Sequence, residues 1–248
     1  MPVHVTKQQV IRLLASSMVS NSPLSDVFLD SPVRPNVGAF SVHSKIQKPE
    51  GNGQKLNLNL TLNKSTNEIL FAEATTDFFD FLCTFMTMPM GSMLFLLKGN
   101  SGLGCMDDLY KSVVELDVKW FNSDNRKATL ICPKVAKHHN CMKQPLNLEE
   151  ECPRESLIDP RLSNSFSKEP LKFIILDDLK VRPLSSASSF SILKELKVPI
   201  TEIEQEALTV SIEELQALTL LKAALTSPSG ALTNGLAASC RCIRHSAG

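Results

Sequence analysis

The sequence predicts an α+β protein built from two related units, each a β-hairpin followed by short helices, joined by an irregular linker. Three observations carry this. "KLNLNLTL" places Leu56, Leu58, Leu60 and Leu62 at every second position, as one buried strand face requires. "TTDFFDFLCTFMTMPMGSMLFLLKG" (Thr75–Gly99) holds four of the eight methionines and five of the twelve phenylalanines at helical spacing. "LKFIILDDLKVRPL" repeats the hairpin pattern about a hundred residues later, again ahead of a helix that stops at a proline.

In chain order, residues 1–54 read as an irregular segment rich in Ser, Pro, Asn and Val. They contain one candidate helix, Lys7–Met18, with Val10, Leu13 and Leu14 on one side. The first 22 residues hold Lys7, Arg12, four serines and no acid, a transit-peptide composition as well as a surface-helix one. The first hairpin-helix unit is expected over residues 55–131. "NKSTNE" supplies its turn and "ILFAEA" its second strand.

A helix from Asp77 then sets Phe78, Phe81, Leu82, Phe85 and Met88 on an apolar face. Asp77, Asp80, Thr84 and Thr87 share the opposite, polar stripe. Thr75, Thr76 and Asp77 are candidate caps, and Pro89 ends the helix. Such a helix spans about 18 Å, short of the roughly 30 Å of a bilayer core. Asp80 would also be stranded in lipid. The methionines therefore read as core filling rather than a membrane span or a cofactor box.

Further helices are expected at Ser92–Lys98, stopping at Gly99, and at Met106–Leu116, with Leu109, Val113 and Leu116 on one face. "VKWF" and "ATLICP" look like short strands. Residues 132–170, with their prolines and the run Glu149–Glu151, read as the irregular linker. The second unit, 171–236, opens with strands Phe173–Leu176 and Leu179–Val181 around Asp177–Asp178. A helix follows that ends at Pro199, then one that opens with a capping box of Ser211 and Glu214. Residues 237–248 read as a flexible tail. With Pro89 set on Pro199, Leu82, Cys83, Met86 and Met88 fall on Ile192, Leu193, Leu196 and Val198, an internal repeat.

Four segments resemble, in order, the plant family catalogued as domain of unknown function 674. They are "ILFAEATTDFFDFLCTFMTMPMGSM", "LGCMDDLYKSVVELD", "DDLKVRPLSSASSFSILKELKVP" and "LTLLKAALTSPSGALTNGL". The resemblance covers most of 56–236 and implies a plant protein with tandem copies in longer relatives. It implies no reaction. Family members carry a cysteine-rich insertion between the halves, shortened here and without its paired cysteines. The first ~50 residues and the "AASCRCIRHSAG" tail are expected to lie outside the match.

Candidate chemistry is sparse. Cys132, His138, His139, Cys141 and Cys152 form the best metal-ligand set, but C-x8-C-x10-C lacks the short knuckle that presents two ligands to zinc. "CRCIRH" (Cys240, Cys242, His245) is a second such set. "GNSGLG" (Gly99, Gly102, Gly104) offers loop amides that can cradle phosphate or close a turn. Asp177–Asp178 fits a cation site or turn chemistry. No G-x-S-x-G or H-E-x-x-H occurs.

Lys+Arg and Asp+Glu are both 26, which excludes a global field for nucleic acid or anionic lipid. One Trp and one Tyr leave few stacking platforms. The expectation is no cofactor, no nucleic acid, no membrane, and an unknown protein partner. Seven cysteines without a secretory signal point to a reducing intracellular setting, the cytoplasm, with organelle import the alternative. The leading function is a non-enzymatic interaction or scaffold module. The alternatives are a small-ligand carrier or enzyme using a cleft between the units, and a remnant zinc-binding module.

Overall fold

The computed structural model describes residues 5–29, 55–121, 124–136, 145–146, 150–151, 172–204, 207–227 and 229–246. The fold is mixed α and β, with a five-stranded antiparallel sheet. Contacts divide the chain into two compact units that do not follow the expected boundaries. One is helical, Met1–Ser44 with Pro89–Pro133. The other bears the sheet, Lys45–Met88 with Lys134–Gly248.

In the sheet-bearing unit, β1 (Leu56–Leu62) pairs with β2 (Ile69–Thr75), and β2 with β5 (Lys172–Leu176). The short edge strand β6 (Val181–Pro183) flanks β5, and β7 (Leu208–Ile212) returns to β1. Both expected hairpins thus lie in one sheet, ordered β6-β5-β2-β1-β7, rather than heading separate units. Pro183 sits on the β6 edge, where a missing N–H removes no ladder bond. The register puts Leu58, Leu60, Ala72, Ala74, Ile175 and Val210 on one face, all buried. The other face is polar at Asn57, Asn59 and Thr209 and apolar at Phe71, Ile174 and Leu176.

Helix α3 (Thr76–Thr87) packs against β1, β2 and β5, and Phe79 stacks on Phe173 at 4.4 Å. Its polar stripe is solvated only at the ends: Asp77 is exposed and Thr87 half-buried, but Asp80 is 2% and Thr84 1% exposed. Thr84 donates to the Phe81 carbonyl at 2.6 Å, which satisfies the hydroxyl inside the core. Leu82 and Phe85 are only half-buried. Helix α7 (Ser186–Leu196) is capped by Ser185, which accepts from the Ser188 amide at 3.1 Å. It covers Phe71, Ile174 and Leu176 with Ile192. Helix α8 (Glu214–Thr226) uses Glu213 and Gln216 as its capping box, because β7 takes Ser211. Helix α9 (Ala231–Ser246) packs on α8; a Cβ on Gly235 would lie 2.9 Å from the Leu220 Cα. The expected flexible tail is therefore helical through Ser246. Within the expected linker, β3 (Val135–Ala136) and β4 (Glu150–Glu151) pair in parallel.

The helical unit holds α1 (Lys7–Val19), α2 (Pro23–Phe28), α4 (Met90–Leu96), α5 (Cys105–Glu115) and α6 (Asp124–Ile131). The candidate helix Lys7–Met18 forms as α1, with Thr6 and Gln9 as its capping box, and the segment expected to be irregular beyond it adds a second helix, α2. "VKWF" forms a 3-10 turn at Val118–Trp120, and "ATLICP" falls largely in α6 rather than a strand. Val27, Met93, Leu94, Leu97 and Leu103 are buried. Gly104, at φ +51°, enters α5 where a Cβ would lie 2.9 Å from the Ser17 carbonyl.

Candidate functional site

A groove of about 570 Å³ lies within the sheet-bearing unit. It is built around the β5–β6 turn. Leu176 accepts from Leu179 and donates to Lys180, and Leu179 takes φ +64° to close the turn. The Asp177–Asp178 pair occupies its tip, and the two carboxylates do different work.

Asp177 caps a helix 56 residues away. Its Oδ1 accepts from the Thr233 amide at 2.7 Å and its Oδ2 from the Thr233 hydroxyl at 3.0 Å. The Leu232 amide donates to the Asp177 carbonyl at 3.1 Å. These are first-turn amides of α9, which have no partner inside the helix. The Thr233 hydroxyl oxygen also accepts from the Ile69 amide at 3.1 Å, so one residue ties β2, the turn and α9 together. Partial burial pushes the Asp177 carboxyl above its ordinary range. The Thr233 hydrogen bonds oppose this, and the charges of Glu68 and Asp178 add to it. Burial also acts upward on Asp178, but the hydrogen bonds and charge of Lys180, 2.7 Å away, bring it below the ordinary range.

The remaining polar groups around the groove are partly paired. Arg182 holds Glu195 at 2.7 Å. No histidine is among the residues that line the groove. The arrangement grips a turn and a helix end.

The sequence-predicted metal residues do not converge here. Cys132 follows α6, half-buried. His138, His139, Cys141 and Cys152 lie outside the described residues. Among the described residues, no group of three or more His, Cys, Asp or Glu side chains could hold a metal ion. Cys240 lies half-buried on α9. The "CRCIRH" segment is helical rather than strand-like, with Cys242 and His245 on the same α9.

The two described thiols at α3 and α5 are not activated. Burial, then the Asp80 charge, pushes Cys83 up to about 11. Burial, then Asp108 and Asp26, raises Cys105, whose thiol donates to the Ser20 carbonyl at 3.1 Å. Both shifts disfavour the thiolate that would act as nucleophile.

The "GNSGLG" amides face an anion supplied by the chain itself. Buried Asp107 accepts from the Ser101 amide at 3.0 Å, the Ser101 hydroxyl at 2.8 Å and the Gly102 amide at 2.8 Å. The loop is closed, not poised for phosphate. Asp26, also buried in the helical unit, keeps one carboxylate oxygen without a hydrogen-bond partner among the described residues.

An α+β chain with a groove beside its five-stranded sheet is the class of protein this geometry defines. The chain belongs to the family described as protein of unknown function (DUF674), whose model matches residues 1–215. The match begins at residue 1, so the N-terminal segment lies within the family rather than outside it. No curated protein and no solved structure gives a match.

Proposed function

We propose that this protein is a non-enzymatic interaction module that engages a protein partner through helix α1. The observation behind this reading is the direction of the α1 apolar stripe. Val10, Ile11 and Leu14 are 55%, 60% and 55% exposed, while Ser16 and Ser20 are buried. Residues at i, i+1 and i+4 form one continuous helical patch, the pattern with which amphipathic helices anchor in a partner groove. No acid lies in α1 to solvate that face. Leu24, Leu109, Leu116 and Trp120 add exposed apolar surface in the same unit.

The thiols of Cys83 and Cys105 fit a reducing intracellular setting, and the even charge balance fits a protein rather than a nucleic-acid partner. Among the described residues, no single helix is long and apolar enough to cross a membrane. Plant tissue is the source in which to seek the partner. The twofold order of hairpin and helix belongs to the same reading, as a duplicated framework.

The experiment is affinity capture from plant tissue with the full chain and with Ile11→Asp/Leu14→Asp, read by mass spectrometry. Proteins retained by the wild type and lost by the variant support the reading. An identical set from both, or none beyond a bait-free control, overturns it.

A further inference from the structure

Two exposed faces of the helical unit carry opposite charge. On α1, Lys7, Ile11 and Leu14 fall at i, i+4 and i+7 with Val10 beside them, and all four are exposed. Arg12 is exposed as well, and α1 contains no acid. On α5, Asp108, Ser112 and Glu115 fall at the same spacing and are exposed. Leu109 lies next to Asp108 at 56% exposed, and Leu116 follows Glu115 at 44%. Lys111 is the one base on α5. Among the described residues no ion pair holds Lys7, Asp108 or Glu115. The two faces belong to neighbouring helices of one unit. The Ser17 hydroxyl of α1 lies 3.5 Å from the Met106 sulfur of α5, and the Cys105 thiol donates to the Ser20 carbonyl.

We infer that a second copy of this chain is the partner that covers α1, with α1 of each protomer against α5 of the other. The inference rests on the interaction reading above and names its partner. One chain supplies both halves of such a contact: an apolar face with basic flanks on α1, and an apolar face with acidic flanks on α5. A twofold axis uses both at once, because residue i meets j while j meets i, and the pair closes. Two α1 helices face to face would instead set Lys7 and Arg12 against their equals, with no acid to offset them. In the crossed pairing Leu109 and Leu116 meet Ile11 and Leu14, and Asp108 and Glu115 meet the cations of α1. Two short helix faces make a contact at the small end of protein interfaces. Dilution therefore returns folded monomers, and unfolding read on dilute protein is unaffected by the pairing.

The test is sedimentation of the purified full chain over a concentration series. The expected result is a monomer when dilute and a dimer when concentrated, weakened as salt shortens the Debye length. Ile11→Asp/Leu14→Asp stays monomeric throughout. Lys7→Glu/Arg12→Glu and Asp108→Lys/Glu115→Lys each weaken self-association about tenfold or more, since each sets like charges face to face. Mixing these two charge variants restores a dimer at wild-type concentrations, because both contacts of the mixed pair are again of opposite sign. The thermal midpoint of dilute protein shows whether each variant is folded; if one charge variant unfolds, the other decides alone. A wild type that is monomeric at every concentration, wild-type association of Asp108→Lys/Glu115→Lys, or a mixture no tighter than its parts overturns the inference. If the chain stays monomeric while α1-dependent capture from tissue persists, only the second-copy inference falls; if both are lost, the interaction reading falls as well.

Discussion

The sheet-bearing unit and the helical unit differ in which elements turn apolar side chains outward: in the first they are single residues such as Met86, Phe190 and Ile200 around a buried sheet, in the second the stripe of a whole helix. In the first, Leu58, Leu60, Ile175, Phe78 and Phe81 point inward, and even Asp80 and Thr84 of α3 are covered. In the second, α1 turns Val10, Ile11 and Leu14 outward, and α5 exposes Leu109, and Leu116 just after it, while burying Asp107. Burying apolar area stabilises a fold by about 25 cal/mol per Å², so a helix that leaves its stripe in water forgoes that term. The helical unit has a smaller apolar set, Val27, Met93, Leu94, Leu97 and Leu103, and polar contacts add to it: Asp107 closing its loop, and capping at Thr6. The difference teaches that the sheet-bearing unit has the larger buried apolar core, and that the helical unit, with a smaller one, leaves the stripe of α1 open.

The largest effect should come from the first core. Phe81→Ala is expected to lower the stability of the sheet-bearing unit by about 3–5 kcal/mol, since it removes a fully buried ring between Phe78 and Phe85. Denaturant unfolding of wild type and variant checks it. A loss no larger than that of an exposed substitution would erase the contrast between the units.

Asp107→Ala should follow, at about 1–3 kcal/mol, because the Ser101 and Gly102 amides lose their acceptor inside the helical unit. Hydrogen exchange at those two amides should rise together with the loss. Unchanged exchange would mean that water replaces the carboxylate and that the loop is not closed from within.

Asp177→Ala should cost about 1 kcal/mol, the scale of a lost helix cap, and Asp177→Asn much less. Asp177 also carries a pH signature. Its carboxyl is raised above the ordinary 3.8, so between that value and its raised one the folded chain binds more protons than the unfolded chain. Stability contributed by this group is therefore greatest at low pH and falls as pH rises through that window. Asp177→Asn should remove this component of the pH dependence. A slope that persists unaltered in the variant would assign it to other carboxylates.

Legibility in the sequence follows the same division. The alternation in β1 and the phenylalanine spacing of α3 could be read directly, because one buried face leaves a period in the chain. Pro199 likewise marks the end of α7, two residues beyond Lys197 in its left-handed conformation. The α3 polar stripe misled because its threonine can satisfy itself against the Phe81 carbonyl, and a self-satisfied hydroxyl need not face water. The α5 stripe misled for the reverse reason. Asp107 is drawn inward by the amides of Ser101 and Gly102, which turns Leu109 and Leu116 outward. "ATLICP" favoured a strand by side-chain type, yet the helix begins upstream at Asp124. The groove was beyond local reading. Asp177 was visible as turn chemistry, but its role depends on Thr233, and no periodicity links residues that far apart.

The smallest expected effect is also the most direct test of the central claim, that α1 keeps an open apolar face for a partner. Equilibrium unfolding of the purified full chain should give the same midpoint, within about 0.5 kcal/mol, for wild type and Ile11→Asp/Leu14→Asp, as surface substitutions do. A loss of several kcal/mol would show that Ile11 and Leu14 are buried in the folded protein, and would contradict the account.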